Sequence, residues 1–390
     1  VRAMDGMSAT GGVNAVTDVN AAGSLSTAGG MSDVNAAEGL STAGGMSAMS
    51  DVNAVEGLSA AGGVNVASRP VRMAVLGAAD IARRRMLPAM TRAAGVEPVV
   101  VAGRRPAETG RLAAEFGVEA AGDYETALLR DDVEAVYLPL PNALHAPWAE
   151  RALRAGRHVL VEKPLTTCAA DTARLQRLAD ERGLVLMEAM MFVHHAQHEE
   201  VRRLLDGGAL GTPLAFTAAF TVPPRDPGDI RYRADLGGGA LLDTGVYPLR
   251  AAQHLLGGDL EVLGAVLRCG DEVDVGGAAL LVSPRGVTAQ VEFGFDRPYR
   301  CSYEIRGSRG GLLLDRAFTP PADLTPVARR TGLDGRTDDL PLRADDQFAA
   351  LLRSFARAVR TGERHGDAAA SLAQARLVDR IRETARRVPA

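Results

Sequence analysis

The sequence is nearly without lysine. One Lys, Lys163, stands against 43 Arg in 390 residues. Arginine keeps its charge at any ordinary pH, whereas a partly buried lysine can be tuned to exchange a proton. Other scarcities exclude whole classes. Three widely spaced cysteines, Cys168, Cys269 and Cys301, make neither a CxxC pair nor a disulfide framework, which fits a reducing cytoplasm. No apolar run approaches the ~20 residues of a transmembrane helix. The N-terminus has no basic-then-apolar signal pattern. With a formal net charge of −4 there is no basic field for nucleic acid and no polybasic membrane patch. The acid excess lies within residues 1–70, because residues 71–390 balance at 42 acids and 42 bases.

Aromatics are absent from residues 1–69. That segment repeats itself: Asp18–Ser32 recurs nearly unchanged as Asp33–Ser47 and again as Asp51–Asn65. Units of Gly, Ser, Ala and Asn cannot bury enough surface to offset chain entropy, so disorder is expected over residues 1–69. A small solenoid, or a leader ahead of a true start near Val71 or Met73, are the other readings.

From Val71 onward, buried strands alternate with amphipathic helices. Strands are expected at 71–77, 96–102, 133–138, 158–161 and 184–187, with helices through Ala94 and at 107–116, 123–129, 145–155 and 169–182. This pattern predicts a parallel sheet covered on both faces. The second half reads as strands at 213–222, 260–268, 276–283, 287–294, 299–306 and 311–315, a mainly antiparallel sheet. A helix runs from the Gly237 turn to Leu256, residues 320–341 read as a polar loop, and helices at 344–361 and 366–387 close the chain. The expected organisation is α/β: a dinucleotide-binding domain over 70–190 and a second α/β domain with an open sheet over 191–390.

Gly77-Ala78-Ala79-Asp80-Ile81-Ala82 follows the first strand and opens a helix. It fits the Gly-x-Gly-x-x-Gly/Ala pattern with Ala79 at the second glycine position, where backbone N–H groups hold a pyrophosphate. The second strand ends in Gly103-Arg104-Arg105, not in an acid. Two guanidinium groups there suit a 2′-phosphate, so NADP(H) is expected. Leu140, Pro141 and Asn142 end the next core strand at the ligand-binding edge, and His145 beside them is either cofactor-proximal or structural. An apolar strand then delivers Glu162-Lys163-Pro164 to the same edge.

Asp243 and Tyr247 are spaced i, i+4 and can share a helix face. A tyrosine near a lysine ammonium can donate a proton to a developing alkoxide. A cap and a buried Tyr would look the same. His194, His195 and His198 have no acidic ligand run with them, so no metal is expected. His195 is more simply a substrate-pocket or packing residue. Arg231 and Arg233 form either a solvated turn or an anion contact.

These segments in this order resemble the Gfo/Idh/MocA oxidoreductases over residues 71–390. The resemblance rests on the Gly77 turn, Pro141-Asn142-x-x-His145, Glu162-Lys163-Pro164 and Asp243-x-Gly245-x-Tyr247. Within that family, Ala79–Arg85 and Gly237–Arg250 look most like the NDP-hexose 3-ketoreductases of deoxysugar biosynthesis. The resemblance implies Lys163 and Tyr247 as a catalytic pair with Asp243 beside them. It also implies a nucleotide-linked keto-deoxyhexose, expected to be dTDP-linked, as substrate, and a homo-dimer or homo-tetramer built through the C-terminal sheet. A sister enzyme acting on a free sugar or trans-dihydrodiol, and a non-catalytic NADP-binding regulator, are the alternatives.

Overall fold

The computed structural model describes residues 69–363 and 367–390, so the repeat and the disorder expected for it lie outside the described residues. Six parallel strands form the first sheet: β1 (Val71–Leu76), β2 (Val96–Ala102), β3 (Glu119–Ala121), β4 (Ala135–Leu138), β5 (His158–Val161) and β6 (Leu186–Glu188). Their order is β3-β2-β1-β4-β5-β6. The chain leaves β1 for β2 on one side and returns to β4 on the other. This places a switch in strand order, and a crevice, at the carboxyl ends of β1 and β4. A wide π-type turn, Ala82–Met86, runs into α1 (Leu87–Arg92). The remaining crossovers are α2 (Pro106–Phe116), α3 (Tyr124–Leu128), α4 (His145–Arg154) and α5 (Ala169–Glu181).

The central strands are apolar on both faces because helices or sheet cover both. Ala74, Leu76, Val136, Leu138, Val159 and Val161 pack with Leu128, Leu153 and Leu175 of α3, α4 and α5. Met73, Val75, Tyr137 and Leu160 face the other way, into a second core that continues through the rest of the chain.

That remainder begins with α6 (Ala196–Asp206) and β7 (Pro213–Thr221). A second wide turn, Leu241–Gly245, enters α7 (Val246–Leu256). The strands β8 (Glu261–Cys269), β9 (Asp274–Val282), β10 (Thr288–Gly294), β11 (Arg300–Gly307), β12 (Gly310–Asp315), β13 (Val327–Gly332) and β14 (Thr337–Pro341) follow. Then come α8 (Gln347–Thr361), α9 (Asp367–Thr384) and β15 (Arg386–Pro389). The nine-stranded sheet runs β14-β13-β12-β11-β7-β10-β9-β8-β15. It is antiparallel except where β10 meets β7 and β15 meets β8.

Several elements depart from the sequence reading, among them the short edge strand β3, which was not expected. The polar stretch 320–341 is not all loop: it holds the β13–β14 hairpin, whose cross-strand pairs Arg329–Asp339 and Arg330–Asp338 are ionic. Charged ladders of this kind suit an exposed sheet edge and hide the strand signal. Helix α6 was not expected, since two of its four buried residues, Gln197 and His198, are polar. Strand β15 is a charged edge strand that nothing local announces.

Candidate active site

A cavity of about 870 Å³ opens at the carboxyl ends of the parallel strands and is closed on its far side by β7 and the Gly237–Tyr247 segment. Each wall follows from local constraints. Gly77 has φ +141°, and a Cβ there would stand 2.9 Å from the Pro139 carbonyl oxygen, so only glycine can make this turn. Gly77, Ala78, Ala79, Asp80 and Ile81 line the cavity, and the helix they enter starts with Arg83 N donating to Ala79 O at 3.1 Å. The N–H groups of such a first turn have no intrahelical acceptor and suit a phosphate.

At the end of β2, a Cβ on Gly103 would lie 2.3 Å from Thr109 Oγ1. With glycine there, no carboxylate stands where an NAD ribose hydroxyl would seek one. Arg104 and Arg105 are exposed and line the cavity. Arg105 is ion-paired with Glu108 at 2.8 Å, and Arg104 lies close enough to Tyr124 to temper the rise that burial imposes on that phenol. These residues fit a dinucleotide carrying a 2′-phosphate.

Leu140, Pro141 and Asn142 also line the cavity. The Asn142 amide is engaged: Nδ2 donates to Gly237 O at 2.8 Å, tying this loop to the Gly-rich turn. His145 does not line the cavity. It is fully buried, with Nδ1 2.7 Å from Pro164 O and Nε2 2.8 Å from Leu140 O. Burial pushes its pKa down. His145 is thus a strut between the Leu140 loop and the Lys163–Pro164 segment.

Glu162 lines the cavity and accepts from Tyr137 Oη at 2.6 Å. Burial pushes its carboxyl up. Lys163 Nζ donates to both Asp243 O and Asp243 Oδ1, each at 2.8 Å. The other oxygen, Asp243 Oδ2, accepts from Arg231 Nε at 2.8 Å, and Arg231 also pairs with Asp229. Burial would raise the Asp243 carboxyl, but the Lys163 ammonium and the Arg231 guanidinium together hold it far below the usual carboxylate range. The Asp243 carboxylate therefore orients the lysine, not the phenol four residues on.

Tyr247 is buried in an aromatic cluster with Phe192, Phe220 and Phe318. Lys163 Nζ sits over its ring, 5.2 Å from the centroid. The hydroxyl's hydrogen bond is to Met191 Sδ at 3.9 Å, a weak acceptor that leaves the proton available. Burial, and then the Glu162 and Asp243 charges, push the phenol well above its usual range. It stays protonated at any working pH.

The structure thus brings Lys163, Asp243, Arg231 and Tyr247 to one wall. It does not bring Arg233 or His195 there. Arg233 is exposed and paired with Asp235 at 2.6 Å. His195 is the buried N-cap of α6, its Nδ1 accepting from Gln197 N at 3.1 Å. Among the described residues no group of three His, Cys, Asp or Glu could hold a metal. Sequence reasoning missed Arg225, Phe220, Met191, Thr319 and Phe348, which complete the walls. They come from β7, α8 and segments between elements, far apart in the chain, and carry no motif.

The profile of the oxidoreductase family with an NAD-binding Rossmann fold matches residues 71–190, and the Gfo/Idh/MocA C-terminal domain profile matches residues 198–313. The chain belongs to the Gfo/Idh/MocA oxidoreductase family. This family member is 54% identical over 330 residues to a dTDP-3,4-didehydro-2,6-dideoxy-alpha-D-glucose 3-reductase of Streptomyces violaceoruber, covering 81% of this chain and 96% of that one. It is 51% identical over 322 residues to the enzyme of the same name from Actinomadura kijaniata, covering 82% and 97%. Among solved structures it is similar to KijD10, a 3-ketoreductase from Actinomadura kijaniata in complex with NADP and TDP-benzene. There the TM-score is 0.81 at 50% identity, covering 83% of this chain and 100% of KijD10.

Proposed function

We propose that this chain is an NADP(H)-dependent sugar 3-ketoreductase that reduces the C3 carbonyl of a dTDP-linked 3,4-diketo-2,6-dideoxyhexose. The observation that carries the reading is the donor pair, Lys163 and Tyr247, on the wall of a cavity whose other end suits a 2′-phosphate dinucleotide. It is supported by identity above 50% to two reductases of that name over nearly their whole length.

NADPH, when bound, supplies the hydride. The chain's residues bind and orient the sugar and supply the proton. Two N–H groups of the Lys163 ammonium are taken by Asp243, leaving the third for the carbonyl oxygen. Held in place by Asp243, the ammonium faces the developing alkoxide as a donor. Tyr247, whose hydroxyl is not committed to a strong acceptor, gives the proton. Its phenolate is then steadied by the ammonium beside the ring until solvent reprotonates it. Arg231 keeps Asp243 charged and is itself on the cavity wall, where it can meet an anionic part of the substrate. Phe220 and Met191 give the wall beside Tyr247 an apolar face.

The reading includes a cytoplasmic enzyme and a homo-dimer or homo-tetramer formed through the open face of the nine-stranded sheet, where Val266 and Leu280 are exposed. No helix among the described residues is long and apolar enough to cross a membrane. A panel of freshly generated dTDP-keto sugars and free sugars, followed by NADPH absorbance and product analysis, tests the substrate class. Turnover confined to free sugars contradicts it.

A further inference from the structure

Behind the cavity, four elements converge on one carboxylate. Glu188 ends β6 with its side chain 2% exposed. Oε1 accepts from Leu165 N at 3.0 Å and from Gln374 Nε2 at 3.3 Å. Oε2 accepts from Ser371 Oγ at 2.7 Å and from Nη2 of Arg250. Arg250, equally buried, also donates through Nε to Gln374 Oε1 at 2.9 Å and through Nη2 to Ser371 Oγ at 3.2 Å. None of these side chains lines the cavity.

The partners are what give the cluster meaning. Leu165 lies two residues beyond Lys163, and the Pro164 carbonyl between them is already held by His145. Arg250 lies one helical turn beyond Tyr247 on α7. Ser371 and Gln374 share a face of α9. A buried ion pair is weak evidence for stability, since apolar residues of similar volume commonly do as well. Its strength is direction: a carboxylate whose two oxygens are both multiply bonded fixes where its donors stand. Here one oxygen is bonded to the segment that carries Lys163, and the other to the helix that carries Tyr247.

We propose that Glu188 is a positioning residue for the reaction. Its carboxylate sets the spacing between the Lys163 segment and the Tyr247 helix, with Arg250 as the arm to α7 and α9 as the clamp. The inference rests on the reading that Lys163 and Tyr247 act on one carbonyl oxygen.

The test compares Glu188→Gln, Tyr247→Phe and the double variant, measuring kcat, KM, NADPH affinity and the melting transition. Glutamine keeps the volume and the acceptor for Leu165 N but loses the charge that holds Arg250. The expected result is a cooperative melt, unchanged NADPH affinity and KM, and kcat lowered about 10- to 100-fold, the scale of a small misplacement of reacting groups. In the Tyr247→Phe background the same change lowers the residual kcat by less than about threefold, because the spacing it sets no longer matters. A folded Glu188→Gln with unchanged kcat, or an equal loss in both backgrounds, overturns the proposal. If Glu188→Gln does not fold, Ser371→Ala leaves the ion pair intact and carries the same comparison. Its expected loss in kcat is about threefold or more, absent in the Tyr247→Phe background, and an unchanged kcat overturns the proposal equally. A Tyr247→Phe variant with full kcat instead removes the reading on which the proposal stands. Loss on Tyr247→Phe without loss on Glu188→Gln removes the positioning role alone.

Discussion

Lys163 and Asp243 are joined twice, the ammonium donating at 2.8 Å to the aspartate's backbone oxygen and at 2.8 Å to its carboxylate. The backbone contact survives any substitution at 243, so the carboxylate's part can be isolated. Asp243→Asn should keep the fold and NADPH affinity while lowering kcat about 10- to 100-fold, or ~1.4–2.8 kcal/mol in the barrier. Steady-state kinetics beside NADPH titration check this. A fall in NADPH affinity with unchanged kcat would place Asp243 in cofactor binding instead.

Tyr247→Phe removes one hydroxyl and leaves the aromatic cluster with Phe192, Phe220 and Phe318 in place. The hydroxyl has a sulfur as its partner, so little stability is at stake. The melting temperature should hold, while kcat falls ~10²- to 10⁴-fold, the usual range for a lost general acid. Because the phenol is pushed well above its usual range, the wild-type kcat profile should show no basic limb from Tyr247 below pH ~10.

Much of this was legible in the sequence, for reasons that can be named. Strands β2 and β5 match the expected residues throughout, β2 being bounded by Gly95 and Gly103 and β5 being an apolar run between Gly156 and Pro164. Lys163 was conspicuous by rarity. Spacing alone did not choose the partner of Asp243: i, i+4 offered Tyr247, while the resemblance placed Asp243 beside Lys163 as well, and past the wide turn Leu241–Gly245 the carboxylate goes to Lys163 and Arg231. Nor was the Glu188 cluster, whose members lie 62 and 183 residues apart and have no local pattern. Arg231 and Arg233 were equal candidates by sequence. Only packing separates a guanidinium on the cavity wall from one paired outside with Asp235.

Cofactor choice rests on Arg104 and on the absence of an acid at Gly103. Arg104→Ala should raise KM for NADPH about 10-fold or more and leave NADH kinetics unchanged, because only the 2′-phosphate contact is lost. An equal loss with both cofactors would show that Arg104 holds a part they share.

One buried and one half-buried histidine make the fold sensitive to acid. Burial pushes the His254 pKa from 6.5 to about 3, and His198 well below its usual value. Folded values below the unfolded one mean that the unfolded chain binds protons first. Stability is therefore full above pH ~6.5 and is lost as pH falls toward 3. Melting temperatures should decline below pH 6.5, and His254→Asn should flatten that decline. A melting temperature level down to pH 5 would contradict it.

The most direct test of the account mixes NADPH-loaded protein with a freshly generated dTDP-linked 3,4-diketo-2,6-dideoxyhexose in a single turnover, for the wild type and for Lys163→Ala. The predicted result is one NADPH oxidised per C3 alcohol formed by the wild type. The Lys163→Ala protein should bind NADPH equally well and react at least ~10²-fold more slowly. Wild-type protein that consumes no NADPH with this sugar, or a Lys163→Ala variant that keeps pace with it, would contradict the account.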